Sequence, residues 1–387
     1  MITKNIFFKN FQKKCPPLIG KKLKTLLKNE DSAIINSLKS SYKYSYTQKT
    51  IKRYKSNFSL LRIIGMGGSI LGTKAIFSFL NKKIKKKTVF YDNLSPKIIL
   101  GKEKKILNLI VSKSGNTLET ISNVNILIKK NQKNIFITEN SKNYLRLLAN
   151  KIKAEVLDHN NFIGGRYSVL SEVGMLPSSL VGLNDKKFKQ FNKLINNKSF
   201  INGLINNVYN ISFFLKKKKF NSVIINYDAF ASDLFEWYQQ LVGESLGKKQ
   251  KGIFPIISNM PKDNHSLMQL YLDGPNKTFF TFFNCKENKS SKIVNNSILD
   301  THYFLKNKNF YEILNAQKIA TEKVFLEKKI PFRSFEIFKR NEEVLGELFS
   351  FFILETILLG KFLKVNPFDQ PAVEMIKKRT KNILLKS

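Results

Sequence analysis

The first half of the chain alternates short apolar runs with stretches in which apolar residues recur at helical spacing. Leu118, Ile121, Val124 and Leu127 show that helical spacing after one of the runs. The runs are short and bounded by turn residues, so they predict strands. They cover residues 61–64, 106–111, 134–138 and 154–157. Strands that alternate with helices predict a doubly wound α/β domain with a mostly parallel sheet.

The second half of the chain repeats the alternation. Leu234, Trp237, Tyr238 and Leu241 fall on one helical face. Strand-like apolar runs lie at residues 222–227, 252–257 and 278–283. We therefore predict a second α/β domain of the same architecture.

A helical segment is predicted to close the chain over residues 344–387. Its apolar stretch, residues 345–363, carries Glu347, Glu355 and Lys361. Charges at those depths favour a buried helix over a membrane span. The full predicted division is a helical arm over 1–50, domains over 51–190 and 191–343, and this closing segment. The Lys- and Asn-rich stretch 185–198 is the candidate junction between the domains.

The formal net charge of +39 over 387 residues raises the possibility of nucleic-acid binding. Most of the cations are lysines, whereas arginine reads guanine edges and phosphates better. The charge therefore favours a compositional drift with no nucleic-acid partner, although a basic field would still attract a phosphorylated metabolite. Cys15 and Cys285 make neither a disulfide framework nor a metal cluster, which suits a reducing cytoplasm.

A loop rich in hydroxyls follows the apolar run that ends at Val111. Ser112, Lys113, Ser114 and Thr117 surround a glycine just before a predicted helix. A helix N-terminus offers unpaired N–H groups and partial positive charge, so the loop is a candidate phosphate seat. Ordinary cap and turn residues are the alternative interpretation. Asn116 followed three residues later by Glu119 predicts a capping box at the helix start.

The second glycine-rich turn, GMGGSILG at residues 65–72, only partly matches a dinucleotide fingerprint. Gly65 and Gly67 fit the G-x-G-x-x-G pattern, but Ile70 occupies the third glycine position. NAD binding is therefore disfavoured. A tight turn that presents Ser69 to a sugar or phosphate is the better functional interpretation, and a packing turn is the alternative.

Four further residues are candidates for chemistry. Arg166 follows two glycines, and Glu244, a candidate general base, is expected just after a helix where the chain turns between Gly243 and Gly247. His265 lies in DNHSLMQLYLDGP, while Lys377 comes seven residues after Gln370, two helical turns along one face. An exposed or structural side chain is the alternative for each of them.

Taken together, these segments resemble the glucose-6-phosphate isomerase family. The matching segments, in order, are GMGGSILG, VSKSGNTLET, GGRYSVLSEVGMLP, QLVGESLGK, KGIFP, DNHSLMQLYLDGP and VNPFDQPAVEMIK. VSKSGNTLET alone also resembles the phosphate loop of the wider sugar-isomerase (SIS) domain superfamily. The resemblance implies two SIS-type domains and an active site between them in a homodimer. It implies a cytoplasmic enzyme of glycolysis and gluconeogenesis that converts glucose 6-phosphate to fructose 6-phosphate through a cis-enediol, without metal or organic cofactor.

The resemblance also implies a role for each matching residue. Glu244 matches the base that moves a proton between C2 and C1. His265 matches the ring-opening histidine, which the family supplies from the partner subunit, and Lys377 matches the lysine that assists it. Arg166 matches the arginine beside the enediolate. The phosphate loop and further sugar contacts are matched by Ser112, Lys113, Ser114, Thr117, Ser69 and Gln370.

The sequence departs from the family pattern in the phosphate loop, where Asn116 replaces the usual Thr, and near the C-terminus, where Ala372 replaces a Gly. The chain is also shorter before Gly65. Two alternatives stay open at this point. One is a related isomerase that also accepts mannose 6-phosphate. The other is a sugar-phosphate sensor that regulates nucleic acid, which would need the phosphate seat but not Glu244, His265 and Lys377 together.

Overall fold

A computed structural model describes residues 1–96, 103–286, 290–293 and 298–386. Its strands in chain order are β1 (Ile6–Lys9), β2 (Leu60–Gly65), β3 (Lys87–Tyr91), β4 (Ile106–Val111), β5 (Lys133–Glu139), β6 (Glu155–His159), β7 (Asn221–Asn226), β8 (Phe254–Asn259), β9 (Thr278–Cys285) and β10 (Phe332–Ile337).

The helices fall between and after these strands. In chain order they are α1 (Pro17–Lys28), α2 (Ala33–Leu38), α3 (Gln48–Lys55), α4 (Leu71–Phe79), α5 (Leu118–Leu127), α6 (Tyr144–Lys151), α7 (Glu172–Leu180), α8 (Phe191–Ile195), α9 (Lys198–Lys216), α10 (Ser232–Leu246), α11 (Met268–Asp273), α12 (Phe310–Glu327), α13 (Glu342–Leu363) and α14 (Val373–Leu384).

The first sheet has the strand order β3-β2-β4-β5-β6, and all of its neighbouring strands are parallel. Every residue of β2 and β4 is buried. Such continuous burial is typical of parallel strands whose two faces are both covered by helices. The strand–helix alternation read from the sequence is therefore confirmed, and the doubly wound α/β class with it.

The second sheet has the order β1-β10-β9-β7-β8. Its strands β7 to β10 are parallel, as predicted, but β1 joins the edge antiparallel to β10. The arm expected over residues 1–50 is thus helical only after Pro16 and begins with a strand. Ile6 and Phe8 point inward while Phe7 and Lys9 are exposed, so the strand pattern is present but too short to stand out.

Helix α13 forms the central buried helix of the molecule. Its residues from Glu342 to Gly360 are buried except Glu343, which confirms the buried helix predicted over 345–363. Within the described ranges no helix combines the length and apolar character needed to cross a membrane. By contrast, α14 buries none of its residues. The helical closing segment is therefore confirmed, but its two helices differ completely in burial.

A buried ion pair ties α13 to the second sheet. Arg333 of β10 and Glu355 of α13 have side chains with 0% exposure and are in direct contact. Glu355 also accepts a hydrogen bond of 3.0 Å from the hydroxyl of Tyr238 on α10. Since α10 also packs against α4, it connects the two sheets. It is the helix that carries Glu244.

Two local expectations differ from the structure. The capping box of Asn116 and Glu119 is not formed, because Thr117 occupies the N-cap of α5 without a side-chain cap bond. Glu244 lies within the last turn of α10 rather than after it, since Gly243 does not end the helix. The stretch 185–198, the candidate junction between the domains, packs Phe188 and other apolar side chains into the core. The domain boundaries themselves stay a prediction.

Candidate active site

Two loops meet at the carboxyl ends of neighbouring strands. Strands β2 and β4 pair in register with Gly65 opposite Val111, so the turn after β2 and the loop after β4 lie side by side. A Cβ at Gly65 would lie 2.9 Å from the carbonyl oxygen of Val111, which only glycine avoids. The carboxyl edge of a parallel sheet is where open α/β folds bind ligands.

The hydroxyl loop, residues 112–117, is tied into a fixed shape. The hydroxyls of Ser112 and Thr117 lie 2.9 Å apart, and Gly115 has a φ of +63°. A Cβ at Gly115 would lie 1.9 Å from Oδ1 of Asn143, so this position requires glycine for both conformation and space. The loop leads directly into the N-terminus of α5, whose N–H groups favour an anion.

The other loop side chains have a less enclosed setting. Ser114 is exposed, and its hydroxyl accepts a hydrogen bond of 3.3 Å from the backbone N–H of Asn116. Lys113 donates to the carbonyl oxygen of Asn161 at 2.7 Å and lies 3.5 Å from a carboxylate oxygen of Glu139. These two contacts hold Lys113 at the rim of the loop, where its ammonium adds positive charge beside the candidate phosphate seat.

The turn at Gly67–Ser69 brings the first loop against Arg166. A Cβ on Gly68 would lie 2.2 Å from the carbonyl carbon of Gly165, so the two backbones are in direct contact. Gly67 has a φ of +51°, and a Cβ there would lie 2.8 Å from the side-chain nitrogen of Gln240 on α10. The glycines of GMGGSILG and GGRYS therefore allow three chain segments to come into contact, namely the turn after β2, the segment that carries Arg166, and helix α10.

Arg166 is buried at this convergence, with 1% of its side chain exposed. Its Nε donates to the hydroxyl of Ser245 at 2.7 Å, and one Nη2 bond of 2.7 Å goes to the carbonyl oxygen of Pro367. Its Nη1 donates to Oε2 of Glu244 at 3.1 Å and also to the side-chain oxygen of Gln370. The exposed surface arginine considered from sequence is therefore wrong, and the guanidinium is held in one orientation.

Glu244 faces the clefts on either side of its helix. Its side chain is 30% exposed and lines two clefts of about 680 and 560 Å³. Its Oε2 accepts from Arg166, while its Oε1 accepts a hydrogen bond of 2.9 Å from Gln240. Both carboxylate oxygens are thus positioned, yet the group remains accessible. Such a carboxylate can take up and return a proton.

The segment after α13 closes the smaller cleft. Lys248 forms an ion pair of 2.8 Å with Asp369, and the hydrogen bond from Lys248 holds the pKa of that carboxyl below its usual range. Gln370 follows directly and reaches Arg166. The structure thus brings Glu244, Arg166 and Gln370 together. The sequence predicts all three as residues of one site.

Comparison with known proteins shows the family of the chain. The sequence matches the phosphoglucose isomerase family over residues 32–387. This chain belongs to that family. A glucose-6-phosphate isomerase of Methanocaldococcus jannaschii is 32% identical over 355 residues, covering 85% of this chain and 86% of the relative. A glucose-6-phosphate isomerase of Campylobacter jejuni is 32% identical over 359 residues, covering 86% of each.

Among solved structures, a hypothetical protein from Thermus thermophilus shares the fold. It superposes with a TM-score of 0.83 at 23% identity, and the match covers 95% of both chains. At that identity the likeness supports the fold alone. It shows that the arrangement of two mostly parallel sheets described above recurs in a chain of matching length.

Two residues that the phosphoglucose isomerase resemblance assigns to the site lie outside it. His265 is exposed at the end of the turn Lys262–His265, and Lys377 is 65% exposed and pairs with Glu374 at 2.7 Å. Among the described residues that line the clefts of Glu244, neither appears. The predicted common helical face of Gln370 and Lys377 is wrong, because α14 starts only at Val373. Pro371 disfavours helix at the residue before it.

Two polar residues of the site were missed by sequence reasoning. Gln240 precedes Glu244 by one helical turn, a spacing that could have suggested the contact. Glu236 lines the larger cleft, where burial raises the pKa of its carboxyl although the Lys74 ammonium lies 3.9 Å away. The described part of the chain contains no group of three or more His, Cys, Asp or Glu side chains placed to hold a metal ion.

Proposed function

We propose that this chain catalyses the reversible isomerisation of glucose 6-phosphate to fructose 6-phosphate through a cis-enediol. The observation that carries the proposal is the Glu244 carboxylate, which is accessible from a cleft and lies 3.1 Å from the buried guanidinium of Arg166. An aldose–ketose isomerisation needs a base for the proton alpha to the carbonyl and a cation near the enediolate oxygen. The two side chains supply these groups.

In the proposed mechanism Glu244 takes the proton from C2 of the open-chain aldose and returns it to C1. Negative charge develops on the carbonyl oxygen O1 during this transfer, and the fixed guanidinium of Arg166 stabilises it. The proton of the C2 hydroxyl passes to O1 in the enediol, so that O2 becomes the carbonyl oxygen of the ketose when Glu244 protonates C1. Gln240 keeps the carboxylate oriented through its bond to Oε1. The reverse sequence converts the ketose to the aldose with the same groups. No step requires a metal ion or an organic cofactor.

The far end of the substrate would be held by the hydroxyl loop. Ser112, Ser114 and Thr117, with the N-terminus of α5, bind the phosphate in this proposal, and Lys113 adds positive charge. Ser69 and Gln370 contact the sugar. Binding energy from the non-reacting phosphate can then be used to orient C1 and C2 against Glu244.

Ring opening is assigned to His265 and Lys377, and this part of the proposal requires a homodimer. Both side chains are exposed in the single subunit and lie outside the clefts of Glu244. In the assembled enzyme His265 would serve the partner's site, and Lys377 would approach the sugar once α14 packs. Glycolysis and gluconeogenesis in the cytoplasm are the proposed setting, with neither a nucleic acid nor a membrane as partner.

The first test is a coupled assay of the purified chain with fructose 6-phosphate. The variant Glu244→Gln should lower kcat by about 10²- to 10⁴-fold, because the amide cannot accept the proton. Glu236→Gln removes the other carboxylate of the same cleft and should have a much smaller effect. Full activity in Glu244→Gln would refute the assignment of the base. No turnover of any hexose phosphate by the wild type would refute the isomerase itself.

The second test addresses the partner's histidine by mixing two inactive variants. His265→Ala and Glu244→Gln subunits are unfolded together and refolded, so that mixed dimers form. Each mixed dimer has one site with an intact Glu244 and an intact His265 if the histidine crosses the interface. Activity should then recover to about a quarter of that of the wild type. No recovery, with dimers confirmed by size, would place His265 in its own subunit's site.

A further inference from the structure

A second charged cavity lies at the opposite end of α10 from Glu244. Its volume is about 530 Å³, within the range of small-molecule sites. It is bordered by the end of α4 from the first sheet's domain and by the ends of β9 and β10 from the second. Arg340 on its wall contacts the ring of Phe230, just before α10 begins. Glu244 lies about 18 Å further along that helix, so the cavity is separate from the proposed active site.

Five cationic side chains line the cavity, and the described residues on its wall include no acid. They are Lys82, Lys83, Lys286, Lys339 and Arg340. These cations come from three separate chain segments and converge only through the fold. Three of these cations pair with carboxylates behind the wall, and five cations against those three acids still leave an excess of positive charge around the cavity. A cavity of this kind therefore favours an anion.

Buried or half-buried carboxylates hold several of these cations in place from behind. Lys83 contacts Glu342 at 2.5 Å, and Arg340 pairs with Asp228. Lys286 lies 2.9 Å from Glu336, and although burial opposes it, this contact helps to keep the pKa of Glu336 low. None of these carboxylates belongs to the wall. The cations are thus oriented by the protein and still present their charge to the cavity.

The floor of the cavity is apolar. Phe79, Leu80 and Cys285 are buried beneath the cations, and the ring of Phe338 is 37% exposed at the rim. The ammonium of Lys286 lies 5.2 Å from the centroid of that ring. An apolar floor under a ring of cations can accept an organic group together with its phosphates, as ligand sites combine apolar walls with a few directed polar groups.

We propose that this cavity is a second anion site, which binds a small molecule with a polyphosphate chain. The phosphates would contact the lysines and Arg340, whose planar guanidinium suits phosphate oxygens. The organic group would rest on Leu80 and Phe338. Two sources share this chemistry, a nucleoside triphosphate and an inorganic polyphosphate, and the experiment separates them.

The test is calorimetric titration of the full chain with ATP and with tripolyphosphate, at about 0.15 M salt to screen the general positive field. Saturating hexose 6-phosphate occupies the proposed catalytic cleft. Saturable binding at one site per chain should persist under these conditions. Tighter binding of ATP than of tripolyphosphate would identify the nucleotide as the source, and equal binding would identify the polyphosphate chain alone.

The matched variants decide whether this cavity is responsible. Lys286→Ala/Lys339→Ala should weaken binding by at least about tenfold, since hydrogen bonds to charged groups are lost. Lys21→Ala/Lys22→Ala removes two exposed lysines of α1 and should leave affinity unchanged. Thermal unfolding confirms that both variants fold. Equal weakening in the two double variants, displacement by hexose 6-phosphate, or the absence of saturable binding would overturn the proposal.

Discussion

The molecule contains two arginine–glutamate pairs that differ mainly in access. In the first, Arg333 and Glu355 both have 0% exposure, and Tyr238 adds a hydrogen bond to the carboxylate. In the second, Arg166 is equally buried, but the carboxylate of Glu244 is 30% exposed. Both guanidiniums have protein acceptors on several sides. Only the second carboxylate can reach a molecule in a cleft.

This difference separates a structural role from a chemical one. Burial alone would lower the pKa of Arg333, but the charge and hydrogen bonds of Glu355 together with those of Tyr238 outweigh burial and raise that pKa, so the enclosed pair stays ionised. Nothing can enter to exchange a proton with it. At Glu244 the same contact leaves part of the carboxylate open. The proposed role of Glu244 as a general base therefore depends on this opening, since both pairs consist of the same two residue types.

The largest expected effect comes from breaking the enclosed pair. Glu355→Leu should lower the free energy of unfolding by about 3–5 kcal/mol, because the Arg333 charge remains buried without its partner. Glu244→Gln should cost less than about 1 kcal/mol, since its carboxylate is partly solvated. Urea unfolding measures both.

The double variant Arg333→Met/Glu355→Leu is the control for this interpretation. It removes the charge together with its partner, so it should recover much of the stability that Glu355→Leu loses. If Glu244→Gln destabilised the chain as much as Glu355→Leu, the contrast between the two pairs would be wrong.

A smaller effect is expected from Ser245, which supports only the open pair. Ser245→Ala removes the acceptor of Arg166 Nε, so the guanidinium should be less well oriented. We expect kcat to fall about tenfold with a smaller change in KM, on the scale of one lost charged hydrogen bond. Ser212→Ala is the matched control, because within the described residues that buried hydroxyl donates only to the carbonyl oxygen of Val208 in its own helix. Equal kinetic losses in both variants would indicate a general loss of packing.

Lys189 is a third buried cation, to be compared with Arg333 and Arg166. Within the described residues its ammonium forms no ion pair with a carboxylate. Its ammonium donates to the carbonyl oxygens of Ser37 and Leu170 and lies near the rings of Tyr42 and Tyr44. Burial lowers its pKa to about 7. Its charge therefore destabilises the fold, whereas the charge of Arg333 is compensated.

The last prediction is the gradual pH dependence that follows from Lys189. Between about pH 7 and about pH 10, Lys189 is deprotonated in the folded chain but protonated in the unfolded chain. The free energy of unfolding therefore rises with pH over this range. The slope from this group is at most about 1.4 kcal/mol per pH unit, and below pH about 7 the full cost of the charge remains. Lys189→Met should remove this slope, and the exposed Lys187→Met should keep it. Parallel pH profiles for the two variants would contradict the assignment.

The sequence predicted the α/β class and the inner strands because those features depend on local apolar runs. It also predicted Glu244, Arg166 and Gln370 as site residues, and the fold brings these three side chains together. It did not reveal the contact of Gln240 with Glu244 or the edge strand β1, since these depend on tertiary packing. His265 and Lys377 lie outside the clefts of Glu244 in the single chain, and their place in a working site stays part of the proposal. The roles of all these residues stay predictions.

The contact of Gly68 with Gly165 limits how the site can be altered. Two peptide groups touch there without side chains between them, so the spacing from the first loop to Arg166 is set by the main chain itself. A larger residue at position 68 would displace the neighbouring segment, and no smaller one exists to compensate at position 165. Any redesign for a sugar of different size must therefore act at other points of the cleft wall, such as Leu71 or Ile257.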